Sequence, residues 1–446
     1  MFQVDFSIQE LAARRSRVMS AIGKGAQALI QGGAKESSHD LFRQTNDFYY
    51  LCGVEVPHAY LLIDAQSATS TLFLPHQSPE QKEGEGEVLS PQNAQEARSI
   101  TGIEQVCGVE ELTKAMEKVR LLFTPMRAGE GALMSWDTLQ RAQQDAYSDP
   151  WDGQADRMRA FLVTLRERCP LADLKDLSSI MDELRFIKSP REVDLMRVAG
   201  KLSALGVREA MRTTRPGVWE YELDAVMRYV YLINGARDWG YRAIIAGGPN
   251  IHFGHYKSNN AQLQDGHLLL LDCAPDYHYY TSDIGRMLPV NGRFSRDQRQ
   301  LYGFIVQYHK IFLELIRPGV TSEQITAEAS VRMRPIVDSI KWSRPSWETG
   351  ARAALEFPHM MTHPVGMTVH DVGHYRTQII RPGTVLTLDP SLWVKEEHIY
   401  IRSEDTLLIT ETGYENFTAE APLELDEVEA TMKQEGMLQQ FPRMSR

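Results

Sequence analysis

The sequence predicts an α/β amino-terminal domain followed by an α+β domain built from a pseudo-twofold internal repeat. Three observations carry this reading. Short apolar runs alternate with helical stretches over the first part of the chain. A strong helix start, Ile187-Lys-Ser-Pro-Arg-Glu-Val-Asp194, opens a second region. Within that region Gly266-His-Leu-Leu-Leu-Leu-Asp272 is matched by Gly383-Thr-Val-Leu-Thr-Leu-Asp389, glycine to aspartate in the same number of steps. At 446 residues the chain exceeds one ordinary core and suits two domains.

The elements follow in order. Apolar positions at helical spacing predict a helix over residues 7–22, with Arg14, Arg15 and Arg17 largely exposed. Strands are expected at 27–31, at Ala59-Tyr-Leu-Leu-Ile-Asp64 and at Ser70-Thr-Leu-Phe-Leu-Pro75. Residues 77–93, rich in Gln, Glu, Gly, Pro and Ser, read as an exposed loop, and 145–157 as a polar interval. The segment 166–184 reads as mostly helical and closes the first domain, assigned to 1–175. A linker or helix over 176–189 precedes the second domain, 190–430, and a tail at 431–446. Ser189 as cap, Pro190 at the first helical position and Glu192 at the third define the start of that domain. An amphipathic helix is expected at 424–436.

The second domain reads as two copies of a helix-helix-hairpin unit. Arg215-Pro-Gly-Val and Arg317-Pro-Gly-Val each close one helix and precede another, WEYELDAVMRYVY and SEQITAEASVRM. In the first hairpin an apolar run ends at Asp272, and Asp283 precedes a second run that ends at Asn291-Gly292. In the second, Asp389 and Glu404 hold the matching places, and the apolar run after Glu404 ends at Thr412-Gly413. The aspartates lie farther apart than the Arg-Pro-Gly-Val signals, so the second copy carries an insertion. Acidic residues at the inner ends of buried strands are costly unless a cation neutralises them. Alone, each carboxylate is more simply a turn residue or a paired surface charge; as two repeated pairs they point to a metal centre.

Composition sets bounds. Hydrophobic residues make up 43% and charged residues 24% of the chain, as in soluble globular proteins. A formal charge of −11 with no basic stripe argues against nucleic acid as partner. Cys52, Cys107, Cys169 and Cys273 are widely separated, form no CxxC pair, and read as free thiols of a reducing compartment. The first residues carry no apolar signal core and no run reaches bilayer length, so a cytoplasmic protein without membrane contact is expected.

Asp and Glu are hard, anionic and able to bridge, which suits Mn²⁺, Co²⁺ or Zn²⁺, and an imidazole commonly completes such a shell. The candidates are Asp272, Asp283, Asp389, Glu404 and a histidine of the second half, with His363 favoured. His359, His363 and His370 fall close together just before the second carboxylate strand. A single histidine is usually a satisfied core or surface residue; three at this place point to function. His255 holds the corresponding position before the first hairpin, whereas His252 reads as structural. Arg402 and Glu404 are two apart on an expected strand and share a face. An arginine there can orient a ligand carboxylate, or form an ordinary ion pair worth little. No GxGxxG, P-loop or GxSxG is present. Ala246-Gly-Gly-Pro249 reads as a turn, and Cys273 as a core cysteine.

With these residues assembled, the chain resembles the pita-bread metallopeptidases, and within them the aminopeptidase P (Xaa-Pro aminopeptidase) family. The resemblance spans nearly the whole length. Phe42-Arg-Gln-Thr-Asn-Asp-Phe-Tyr-Tyr-Leu-Cys-Gly53 resembles the signature of that family's amino-terminal domain. Lys188-Ser-Pro, His255-Tyr, Leu271-Asp272, Ser282-Asp-Ile-Gly-Arg-Met-Leu-Pro-Val-Asn-Gly292, His363, Val369-His-Asp-Val-Gly373 and Ile401-Arg-Ser-Glu-Asp405 match its catalytic domain. The resemblance implies removal of an N-terminal residue that precedes proline, by a water bridging two divalent cations, usually Mn²⁺ with Co²⁺ or Zn²⁺ as alternatives. Two cations about 3.5–4 Å apart acidify such a water and polarise the scissile carbonyl. It further implies Asp272 as terminal ligand, Asp283 and Glu404 as bridging carboxylates, and His363 as ligand of the other metal. His255, His359 and His370 would bind the substrate carbonyl and stabilise the tetrahedral state, and Arg402 would sit beside the bridging glutamate. Peptides with proline at the second position are the implied partners, and a homo-dimer or homo-tetramer the implied assembly.

One departure matters. The family places glutamate, as ligand and proton acceptor, where this chain has Asp389, and the following Pro390-Ser-Leu-Trp393 is altered too. Aspartate is shorter by one methylene, about 1.5 Å of reach, against ligand tolerances of about 0.2 Å. Three alternatives to the aminopeptidase therefore stand: a prolidase acting on Xaa-Pro dipeptides, a catalytically impaired pita-bread module that binds peptides or proteins, and a creatinase-like carbon–nitrogen hydrolase.

Overall fold

The computed structural model describes residues 4–35, 41–151, 153, 156–357, 362–373 and 379–441. The chain divides into two compact units, Met1–Arg185 and Phe186–Arg446.

The first unit is built on a six-stranded sheet. Its strands are β1 (Gln27–Gln31), β2 (Tyr60–Asp64), β3 (Thr69–Leu74), β4 (Gln105–Gly108), β5 (Leu121–Thr124) and β6 (Asp173–Asp176), in the order β4-β3-β2-β1-β5-β6. The β1–β2 and β2–β3 pairs are antiparallel, the second across a short turn; β3–β4, β1–β5 and β5–β6 are parallel. One face packs Leu29, Leu62, Phe73 and Leu122 against Phe161 and Leu165 of the helix Arg157–Arg168.

Three expectations need correction here. The segment 166–184 is not mostly helical, because β6 lies within it, between Arg157–Arg168 and the helix Ser178–Phe186. Its sequence Asp-Leu-Lys-Asp is short and polar because it is an edge strand that buries almost nothing. The exposed stretch 77–93 holds a helix, Pro79–Glu85, closed by a reciprocal Ser78–Gln81 capping box. Arg14 and Arg15 of the helix Ile8–Ile22 are buried rather than exposed. Their guanidinium groups donate to Tyr50 O and Leu51 O, both at 3.0 Å. These are carbonyls of the last turn of Asn46–Cys52, where a helix has no intrahelical donor to offer. Arg14 is also held between the Phe6 and Tyr50 rings, 4.1 Å from each centroid. Arg15→Met should therefore lower the unfolding free energy by about 2 kcal/mol, measurable by urea denaturation.

The second unit repeats its plan as expected. Pro190–Thr213 begins with Ser189 and Glu192 in a reciprocal capping box, and Glu220–Ile233 follows it. Strand Leu268–Asp272 then pairs antiparallel with Gly285–Pro289, Asp272 opposite Gly285. In the second half Arg296–Leu315 and Ser322–Ser339 precede Val385–Leu388, which pairs antiparallel with Asp405–Ile409, Leu388 opposite Asp405. Part of the inserted length forms a further helix, Pro345–Leu355. Each hairpin gains a third strand, Ile244–Gly247 in the first sheet and Tyr414–Asn416 in the second. Ala246 and Gly247, read as part of a turn, instead finish the first of these, and a 3₁₀ segment, Gly248–His252, carries the chain onward. Leu425–Met432 and Met437–Gln440 lie at and beyond the expected terminal helix.

A backbone bridge joins the two halves. Gly285 N donates to Glu404 O at 3.1 Å and Glu404 N to Gly285 O at 2.9 Å. A Cβ on residue 285 would lie 3.0 Å from the Glu404 Cβ, so glycine lets the two backbones approach this closely. Among the described residues no helix is long and apolar enough to cross a membrane.

Candidate metal centre

The strands Leu268–Asp272 and Asp405–Ile409 are buried throughout, which is why their apolar runs could be read at all. Their ends deliver acids to one place. Asp272 terminates the first strand, and Asp283 lies two residues before Gly285. The Thr406 hydroxyl accepts from Asp283 N and donates to Asp283 O, both at 2.7 Å, tying Asp283 to the second half. Asp272, Asp283 and Glu404 are all buried.

His363 comes from a segment that lies along Val385–Leu388: Thr387 N donates to His363 O at 2.9 Å and Val365 N to Val385 O at 3.1 Å. Its Nδ1 is 3.2 Å from Pro364 O, which leaves Nε2 facing the acids. That nitrogen is 3.5 Å from Asp283 Oδ2 and 3.7 Å from Glu404 Oε1. One ligand atom from each of Asp283, His363 and Glu404 lies within 4.8 Å of the others. Both Glu404 carboxylate oxygens and Asp389 Oδ1 have no hydrogen-bond partner among the described residues. Buried anionic oxygens without donors are costly, so this donor set fits a divalent cation of the Mn²⁺, Co²⁺ or Zn²⁺ kind.

Asp272 and Asp389 join the cluster through Arg402, at the end of strand Ile399–Arg402. The guanidinium contacts Asp272 Oδ2 directly, lies 3.2 Å from Asp389 Oδ2, and lies 3.5 Å from Glu404 Oε2. Arg402 and Glu404 do share a face, and the arginine spans more of the cluster than a neighbour of one glutamate would.

The electrostatics follow from four carboxylates in one dry place. Burial and the neighbouring charges of Glu404 and Asp283 push Asp389 well above the usual carboxylate range. Burial and Glu404 push Asp283 up as well, opposed by His363 and Tyr241. Burial alone would raise Glu404 too, but Arg402 and His363 draw it below its ordinary value. Against its own burial, His363 is raised to about 10 by Asp283 and Glu404.

His370 and His255 lie in sequence out from His363. The His370 ring is 4.3 Å from that of His363 and 6.4 Å from that of His255. His359 lies outside the described residues. His252 packs edge-on against His398 and Trp393, in keeping with a structural role. Cys273 is buried beside Tyr231 and Met227, its thiol pushed up to about 12 by burial, which makes it a poor nucleophile.

Two further groups escaped sequence reasoning. The Tyr241 hydroxyl lies 2.7 Å from Asp272 Oδ1 and 2.5 Å from Asp283 Oδ1 and shares its single hydrogen between them, clamping the two aspartates of the first hairpin. Burial and the Asp283 charge raise its own ionisation well above the ordinary value, so it stays a donor. It belongs to no periodic pattern, and nothing near it in sequence marks it. Lys188 forms a buried pair with Asp371 at 3.2 Å, fixing the residue next to His370. The adjacent Ser-Pro helix start was visible; the lysine's destination in the second half was not.

The chain is similar to known proteins over most of its length. The model of metallopeptidase family M24 matches residues 194–411, and that of the aminopeptidase P N-terminal domain matches residues 11–121. A Xaa-Pro aminopeptidase of Escherichia coli K12 is 30% identical, over 96% of this chain and 98% of its own. Two structures of the E. coli aminopeptidase P, one with the inhibitor Pro-Leu and one zinc-substituted with product, superpose with TM-scores of 0.77 at 28% identity. Each covers 96% of this chain and 98% of its own. The chain therefore belongs to metallopeptidase family M24, in the group that carries an aminopeptidase P amino-terminal domain.

Proposed function

We propose that this chain removes the N-terminal residue from peptides whose second residue is proline, with two divalent cations, Mn²⁺ by preference, held in the second domain at 190–430. The observation that carries this is the Asp283–His363–Glu404 cluster, its two acids buried and flanked by Asp272 and Asp389. When bound, the cations supply Lewis acidity that makes a water nucleophilic at neutral pH and polarises the scissile carbonyl. Asp283 and Glu404 would hold both cations, Asp272 would hold one of them, and His363 and Asp389 would hold the other. Asp389 would also accept the proton of the attacking water. His255, His370 and His359 hold the substrate carbonyl and then the tetrahedral oxyanion. Arg402 orients Asp272, and Tyr241 holds Asp272 and Asp283 in register.

A prolyl amide has no N–H to offer. Recognition at the scissile bond therefore falls to ring shape and to the carbonyl, which suits imidazoles better than a strand edge. The cytoplasm and a homo-dimer or homo-tetramer are the setting we assign. Zn²⁺ or Co²⁺ are the alternative metals.

Protein reconstituted with Mn²⁺ should cleave Xaa-Pro-Yaa tripeptides; inertness across a broad Xaa-Pro panel overturns the proposal. Faster turnover of Xaa-Pro dipeptides than of tripeptides would make it a prolidase instead. Among the described residues Asp389 Oδ1 has no hydrogen-bond partner while Oδ2 rests near Arg402, and aspartate is one methylene shorter than glutamate. Asp389→Glu should accordingly raise kcat by about 3- to 10-fold, roughly 1 kcal/mol of barrier. A fall would mean that the pocket has adapted to aspartate.

A further inference from the structure

We propose that Glu220, a fully buried residue outside the metal centre, is a positioning residue for His255. The proposal rests on the reading of His255 as a substrate-binding histidine. Glu220 opens the helix Glu220–Ile233, and His255 lies in the connection between strands Ile244–Gly247 and Leu268–Asp272. The Glu220 carboxylate is saturated by four donors from that connection. Oε1 accepts from Gly247 N at 2.8 Å and Asn250 Nδ2 at 3.0 Å. Oε2 accepts from Tyr256 OH and Ala261 N, both at 2.9 Å. The donors are spread from the start of the connection to Ala261, and one of them is the residue next to His255.

None of these donors carries a charge. A carboxylate buried among neutral groups is an expensive way to fill space, and it persists only where its hydrogen bonds hold something in place. Capping the helix does not account for it, because Glu222 performs that task by accepting from Trp219 N at 2.9 Å. Asn259 adds a separate tie, accepting from Ile245 N and donating to Ala243 O. What Glu220 alone provides is a single point to which both limbs of the connection and the Tyr256 side chain are fastened.

The geometry makes Glu220→Gln a sharp test. The amide is nearly isosteric, yet its NH₂ end would face two donors where an oxygen now accepts two bonds. Displacing a substrate-positioning group by about 1 Å costs on the order of 100-fold. In the Mn²⁺-loaded enzyme Glu220→Gln should lower kcat/KM on a Xaa-Pro-Yaa tripeptide by about that factor. Bound metal should be unchanged, and amide hydrogen exchange should rise within residues 248–261. In a His255→Ala background the same substitution should cost less than about twofold, because its effect runs through the missing imidazole. Should Glu220→Gln fail to fold, Tyr256→Phe removes one donor and leaves the carboxylate. It should give about a fivefold loss with the same non-additivity. A full additional loss in the His255→Ala background, or wild-type kinetics in Glu220→Gln, overturns the proposal. Wild-type kinetics in His255→Ala itself would instead bring down the reading of that histidine, and this proposal with it.

Discussion

Asp283→Ala should empty the metal centre and lower kcat/KM by on the order of 10⁴, about 5 kcal/mol of transition-state stabilisation. Asp283 is the residue on which the two halves of the centre converge. It faces His363 Nε2 through Oδ2, takes the Tyr241 hydroxyl on Oδ1, and is bound through its backbone to Thr406. Among the described residues Asp283 is the acid of the first hairpin that clusters with both His363 and Glu404. Metal analysis after dialysis should find fewer than one cation per chain, against the two expected of the wild type. Asp283→Asn keeps the shape and removes the charge, and it separates binding from folding. In the metal-free protein the ionised Asp283 is disfavoured by burial and by Glu404, so Asn should leave thermal unfolding of that form unchanged or raise its midpoint. Stoichiometric metal in either variant would contradict the bridging role.

Asp47→Ala should destabilise the first unit by about 3–5 kcal/mol. Asp47 is buried in the helix Asn46–Cys52, where Arg185 donates to Oδ1 at 2.7 Å and Arg127 to Oδ2 at 3.3 Å. Arg185 also reaches Glu130 Oε2 at 3.3 Å, and Arg127 pairs with Asp182. Deleting the shared carboxylate leaves two arginines in a dry site short of one negative charge. Burial would raise Asp47, but Arg127 and Arg185 hold it below the ordinary carboxylate range. Its contribution is therefore full above the unfolded-state value, near pH 4, and fades as pH falls through the depressed folded value. Urea titrations of wild type and variant should differ most at neutral pH and converge in acid. An equal difference at every pH would mean that lost packing, not charge, is responsible.

The pattern of what could be read in the sequence has a physical basis. Strands buried on both faces leave continuous apolar runs, and acids at their ends stand out against that background; Asp272, Asp283 and Glu404 were visible for this reason. The repeat was legible because both halves solve the same packing problem with the same turn signals. Arg14 and Arg15 were misplaced because a long polar side chain gives no sign of whether its head meets water or a helix end. The strand Asp173–Asp176 was missed because an edge strand needs little hydrophobicity. Tyr241, Glu220 and the Lys188–Asp371 pair act across long loops, and their partners are set by tertiary structure alone.

The reach of Arg402 across Asp272, Asp389 and Glu404 carries a consequence for the protein's life without its cofactor. A guanidinium keeps its proton at any physiological pH, so this resident positive charge offsets part of the mutual repulsion among the acids when a chelator strips the site. Removal of the metals should therefore silence the protein without unravelling it, and resupply should restore it with no refolding step. A scaffold that tolerates emptiness can be assembled before its metals arrive and can wait for them.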